Sequence, residues 1–119
     1  MKSHYAHVEP FITKDGSVIR ELMHPSVHGN ANQSFADAIV PVRVTTKLHR
    51  HRASEEIYYI IAGKGQMTLG AESSTVQAGD TVCIPPGTPH NIANIGTAEL
   101  RILCCCAPAY SHDDTELLD

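Results

Sequence analysis

An all-β fold of sandwich or barrel type, with at most one short helix, is what this sequence predicts. Three observations carry the prediction. Turn signals recur about every ten residues, β-branched and aromatic residues fill the runs between them, and several of those runs alternate apolar with polar. The turns are marked by Asp15-Gly16, His24-Pro25, Gly29-Asn30, Gly63-Lys64-Gly65, Gly70, Ala78-Gly79-Asp80, Pro85-Pro86-Gly87 and Gly96. Between them the expected strands are Ser17–Leu22, Ile39–Leu48, Ile57–Ala62, Gln66–Leu69, Thr75–Gln77, Thr81–Ile84, Asn91–Asn94 and Leu100–Cys106. The single helix candidate, of a turn or two, is Gln33–Ala38.

The run from Ile57 to Leu69 reads as a hairpin about Gly63-Lys64, with Ile60 opposite Met67 and Tyr58 opposite Leu69. Cross-strand partners share a face. Tyr58, Ile60, Met67 and Leu69 therefore point inward, and Gln66 and Thr68 point away.

The chain has 119 residues, the size of one domain able to bury a core without cross-links. At 42% apolar and 18% charged it has ordinary globular composition, and no repeat or linker divides it. The net charge of −4 comes from Asp113, Asp114, Glu116 and Asp119, which leaves residues 1–112 balanced at nine basic and nine acidic. A neutral body with an acidic tail (107–119) lacks the basic face that nucleic acid or anionic lipid requires. No apolar run is long enough to cross a membrane, and MKSHYAHVEP is unlike a signal peptide, so the cytoplasm is the expected location. Cys83, Cys104, Cys105 and Cys106 show no CxxC spacing, and the three adjacent ones cannot pair with each other. Core-filling thiols are the expected reading, with a redox role as the alternative.

The chemistry concentrates in two segments. In LHRHRASEEIYYIIAGKG, His49 and His51 leave one face of a strand and Arg50 the other. Two neighbouring imidazoles with a carboxylate a few residues on form a metal-binding pattern. An unbroken strand would add Glu55. Arg52-Ala53-Ser54 reads instead as a bend that resets the phase, and Glu56 is in step with Tyr58 and Ile60, so Glu56 is the favoured ligand. In GDTVCIPPGTPHNIAN, a strand runs into the rigid Pro85-Pro86-Gly87 turn, and His90 follows it. His4, His7, His24, His28 and His112 read as surface residues.

Together these segments (49–63 and 79–94) resemble the two motifs of the cupin superfamily. His49, His51, Glu56 and Gly63 fill the first motif, and Gly79, Pro85, Gly87, His90 and Asn94 fill the second, with fifteen residues between. The resemblance implies a double-stranded β-helix, or jelly-roll barrel, spanning residues 1–119. It also implies one divalent transition metal (Fe, Mn, Ni, Zn or Cu) held by His49, His51, Glu56 and His90, with coordination places left for a ligand. One position departs from the pattern: Arg43 stands where a turn glycine is expected, six residues before His49.

Tyr58, two residues past Glu56, projects beside that metal and is the candidate catalytic base; it resembles a tyrosine of cupin-type dimethylsulfoniopropionate lyases. Filling the barrel is its alternative role. Thr46 stands where oxalate decarboxylases carry Arg, which counts against oxalate as substrate. Arg43 and Lys47 either meet an anionic substrate or end the strand in solvent. The expected protein is a homodimeric metal-dependent enzyme acting on a small oxygenated metabolite by lyase, isomerase or dioxygenase chemistry. The alternatives are a non-catalytic small-ligand or metal-binding module and a metal-free structural barrel.

Overall fold

The computed structural model describes residues 1–118, so Asp119 of the acidic tail lies outside the described residues. Eleven strands form two antiparallel sheets. The strands are β1 (Phe11–Ile12), β2 (Val18–Met23), β3 (Ser34–Val40), β4 (His49–His51), β5 (Glu55–Ala62), β6 (Lys64–Leu69), β7 (Glu72–Gln77), β8 (Thr81–Ile84), β9 (His90–Asn94), β10 (Leu100–Ala107) and β11 (Thr115–Leu117). One sheet has the order β1-β2-β3-β10-β5-β8 and the other β11-β4-β9-β6-β7. Their inner faces enclose a single apolar cluster that includes Val40, Ile60, Met67, Ile84, Ile92, Leu100 and Ile102. This is the jelly-roll architecture expected from the motifs. No helix among the described residues is long and apolar enough to cross a membrane.

Three local expectations are corrected. Gln33–Ala38 is not a helix, because Ser34–Val40 pairs with β2 on one side and β10 on the other. Ala36, Ala38 and Val40 turn inward from it, so pairing on both edges outweighs the helical propensity of two alanines. Among the described residues the only α-helical turn is instead Pro25–His28, with His24 accepting from the Ser26 amide at its start and Gly29 left-handed (φ 82°) at its end.

The Gly63-Lys64 hairpin is also absent. β5 pairs with β10 and β8, and β6 pairs with β7 and β9, so the chain crosses from one sheet to the other at Gly63. Gly63 has φ 93°, and a Cβ there would lie 2.8 Å from the Glu99 carbonyl oxygen and 2.9 Å from Leu100 Cα. Only glycine permits the crossing. Tyr58, Ile60 and Met67 are nevertheless buried and Leu69 is half-buried, because both sheets face the same core.

The run Ile39–Leu48 is broken as well. The chain turns over Pro41–Val44, where the Val44 amide bonds to the Pro41 carbonyl. Arg43 sits in the turn at φ 66°, the one non-glycine residue with positive φ among those described. The turn that the expected glycine would make is therefore kept, with Arg in its place. Arg43 and Lys47 are both exposed, the solvent-facing alternative.

The acidic tail packs against the barrel through residues 114–117. β11 pairs with β4, Glu116 bridges Arg50 at 2.8 Å and Arg52 at 2.7 Å, and Asp114 accepts from the Ala53 and Ser54 amides.

Candidate metal centre

His49 and His51 are buried on β4, and His90 opens β9 directly opposite His49. The proline turn holds the two motifs together, since the Gly87 amide donates to the His51 carbonyl at 2.7 Å. Ring nitrogens of the three histidines all lie within 4.8 Å of one another. Glu56 is buried and Glu55 exposed, which places the expected carboxylate at this cluster. Glu56 Oε1 lies 3.2 Å from His51 Nε2 and 3.5 Å from His90 Nε2.

The other side of each ring shows where the protons are. His49 Nδ1 lies 2.8 Å from the Lys47 carbonyl oxygen, and His90 Nδ1 lies 3.0 Å from that of Thr88. His51 Nδ1 lies 2.9 Å from Thr115 Oγ1, whose own proton goes to the Ser111 carbonyl at 2.8 Å. All three Nδ1 atoms therefore face acceptors, and in the neutral rings all three Nε2 lone pairs point inward. Glu56 is oriented similarly: the Cys106 thiol donates to its Oε2 at 3.3 Å, leaving Oε1 toward the histidines.

Electrostatics agree with this arrangement. Burial and the neighbouring His90 hold His49 below its ordinary pKa, which keeps it neutral. Burial would raise the Glu56 carboxyl, but the His51 and His90 rings that face it outweigh burial and hold it at about 2, so it stands ionised beside them. Burial, then the charge of Glu56, pushes the Cys106 thiol far up, so it stays a donor. Among the described residues, buried Glu56 Oε1 and His90 Nε2 have no hydrogen-bond partner. Lone pairs that converge without a proton between them fit a cation, and three imidazoles with one carboxylate suit a transition metal.

A cavity of about 40 Å³ adjoins the cluster. Small residues of β3, Ala36 and Ala38, leave it open, and Tyr58, Glu21, Asp15 and Cys104 also line it. Burial, then Glu56, pushes the Tyr58 phenol well above its ordinary value, and burial lifts Glu21 to about 7. Sequence reading missed Asp15, Glu21 and Thr115. Asp15 was visible only as half of a turn signal, and Thr115 only as tail. Cys104 and Cys106 face inward and Cys105 outward, and all four cysteines are free thiols. Asn94 of the second motif is structural: its Nδ2 bonds to the Val40 and Ala98 carbonyls.

The sequence matches the Cupin domain family over residues 37–106. It is 56% identical to an uncharacterized protein of Methanocaldococcus jannaschii over 119 residues, covering 100% of this chain and 95% of that one. It is 32% identical over 84 residues to an oxalate-binding protein of Thermotoga maritima, covering 71% of this chain and 65% of the other. The fold matches that of the polyketide cyclase RemF from Streptomyces resistomycificus at a TM-score of 0.83, with 18% identity, over 100% of this chain and 85% of that one. Motifs, barrel and family match agree, and the chain belongs to the cupin domain family.

Proposed function

We propose that the protein is a metal-dependent enzyme that binds a small oxygenated metabolite against one divalent transition metal held by His49, His51, Glu56 and His90. The reaction would be of lyase, isomerase or dioxygenase type. The observation that carries this reading is the convergence of inward lone pairs around the unpartnered Glu56 Oε1 and His90 Nε2. Fe, Mn, Ni, Zn or Cu suits the donor set, and when bound it supplies a Lewis acid or a dioxygen site.

The chain's own residues narrow the ligand. A cavity of about 40 Å³ has room for about three water-sized groups, so the ligand is small. None of its lining residues is Lys or Arg, while Ser34 offers a hydroxyl and Thr13 and Ser17, whose protons go to Asp15, offer oxygen lone pairs. A neutral hydroxyl or carbonyl compound fits this lining better than a dianion such as oxalate. Tyr58, held protonated by burial, rests as a phenol that donates to a ligand, and acts as a base only when that proton is drawn off. Glu21, at about 7, exchanges a proton near neutral pH and is the second group suited to acid–base work.

Binding without catalysis is the second reading, favoured by the apolar residues around the site and by the oxalate-binding relative. We also place the protein in a reducing cytoplasm, which suits its free thiols, and propose a homodimer.

Metal analysis after purification without chelator tests the central reading. About one transition metal per chain is expected, with loss of melting temperature on chelation and recovery on reloading. Less than about 0.2 metal per chain, with no thermal shift on adding Mn, Fe, Co, Ni, Cu or Zn, would overturn it. Once turnover is found, unchanged kcat in Tyr58→Phe removes Tyr58 from the chemistry.

A further inference from the structure

We infer that Asp15, on the turn between β1 and β2, is a fifth protein donor to the ion of this centre. The inference rests on the metal reading above. The turn is tight: the Gly16 amide bonds to the Thr13 carbonyl, and Gly16 is left-handed at φ 94°. Asp15 divides its two oxygens sharply. Oδ1 accepts from Thr13 Oγ1 at 2.7 Å, Ser17 Oγ at 2.7 Å and the Ser17 amide at 2.9 Å. Among the described residues Oδ2 receives no hydrogen bond, and it points to His49 Nε2 at 3.7 Å.

That nitrogen carries no proton in the neutral ring, because the ring's proton faces the Lys47 carbonyl. A carboxylate oxygen and an imidazole lone pair thus face each other across a gap, as Glu56 Oε1 faces His51 and His90. Donors about 2.1 Å from a common ion stand about 3.0 to 3.4 Å apart. The Glu56–His51 separation of 3.2 Å falls in this range, and the Glu56–His90 separation of 3.5 Å and the Asp15–His49 separation of 3.7 Å lie slightly beyond it. A cation drawing the groups together closes that difference. His90 Nε2, fully buried and without a hydrogen-bond partner among the described residues, lies in one cluster with the His49 ring that Asp15 faces.

The backbone fixes the turn to the site independently of any ion. The Lys47 amide donates to the Asp15 carbonyl at 2.8 Å, so one peptide segment holds both the carboxylate turn and the His49 ring. Charge points the same way. Asp15 and Glu56 both line the cavity, no Lys or Arg does, and two carboxylates balance one dication.

The test uses Co²⁺ as probe, read by visible absorption and by competition with a chromophoric chelator. Asp15→Asn keeps an Oδ1 that can accept the three turn hydrogen bonds and removes the charge. Expected are a 10- to 100-fold loss of Co²⁺ affinity and a changed ligand-field spectrum. In the wild-type chain, Co²⁺ should also slow amide exchange across residues 13–17, a readout independent of how the variant folds. An unchanged spectrum in Asp15→Asn, even with weaker binding, would overturn the inference, since Asp15 would then act only through its field. No added protection of residues 13–17 would overturn it as well. Failure of the wild-type chain to bind Co²⁺ would instead bring down the metal reading beneath it.

Discussion

Each proposed ligand is held by the atom it does not offer to the ion. Carbonyl oxygens of Lys47 and Thr88 hold His49 and His90, Thr115 holds His51, and Cys106 holds Glu56. Such outer contacts fix ring orientation and tautomer and are worth about 10- to 100-fold in metal affinity. Thr115 gives the cleanest test, because its hydroxyl passes a hydrogen bond from His51 to Ser111. Thr115→Val keeps the shape and removes that link, so metal affinity should fall by about 10-fold, measured by chelator competition. Thr115→Ser should restore it, and equal affinity in both variants would show that the contact does not orient His51. The ligand candidates were legible in the sequence because the motifs place them within short segments at fixed spacing. Thr115, Cys106 and Asp15 were not. Thr115 lies 64 residues from His51 in the chain and Cys106 lies 50 from Glu56, and none of the three carries a spacing specific to metals.

At the level of elements, strands were read well and connections poorly. Alternation reveals which residues share a face, and Tyr58, Ile60 and Met67 are buried as it required. It cannot tell whether two successive strands pair in one sheet or face each other across two, so the Gly63 crossing and a hairpin have the same signature. Gln33–Ala38 reads as a helix in isolation because its pairing partner β10 lies far away in sequence. The Pro41–Val44 turn shows how a departure from a motif can leave the backbone unchanged. An L-residue in the left-handed region costs about 1–2 kcal/mol, while glycine costs about 0.4–1 kcal/mol through the entropy of the unfolded chain. Arg43 is exposed and at φ 66°, so Arg43→Gly should stabilise the protein by about 0.5 kcal/mol, a rise of about 2–3 °C in melting temperature. Arg43→Val should lower it, since β-branched side chains tolerate this region worst. A lower melting temperature for Arg43→Gly would mean that the arginine side chain contributes more than its backbone strain removes.

For the whole molecule, the outer face of the six-stranded sheet is the feature that the monomer leaves without a purpose. Strand register places Phe35, Cys105, Ile57 and Cys83 in one row across β3, β10, β5 and β8, with Leu103 and Tyr59 in the next row. Phe35 is 38% exposed, Ile57 41% and Tyr59 44%, so this is a contiguous apolar surface rather than scattered residues. Toward the other side of the sheet the N-terminal segment covers the face, with Tyr5 lying against the guanidinium groups of Arg20 and Arg101. The bare rows therefore run from Phe35 of β3 across β10 and β5 to β8, where a second copy related by a two-fold axis would set the same rows against themselves. Ile57 sits near their middle, and its side chain points away from the metal centre. Ile57→Glu should convert a dimer into a 12.9 kDa monomer by light scattering and make melting independent of protein concentration, while leaving metal stoichiometry unchanged. A wild-type chain that stays monomeric throughout the micromolar range, or an Ile57→Glu variant that remains dimeric, would show that this face has another purpose.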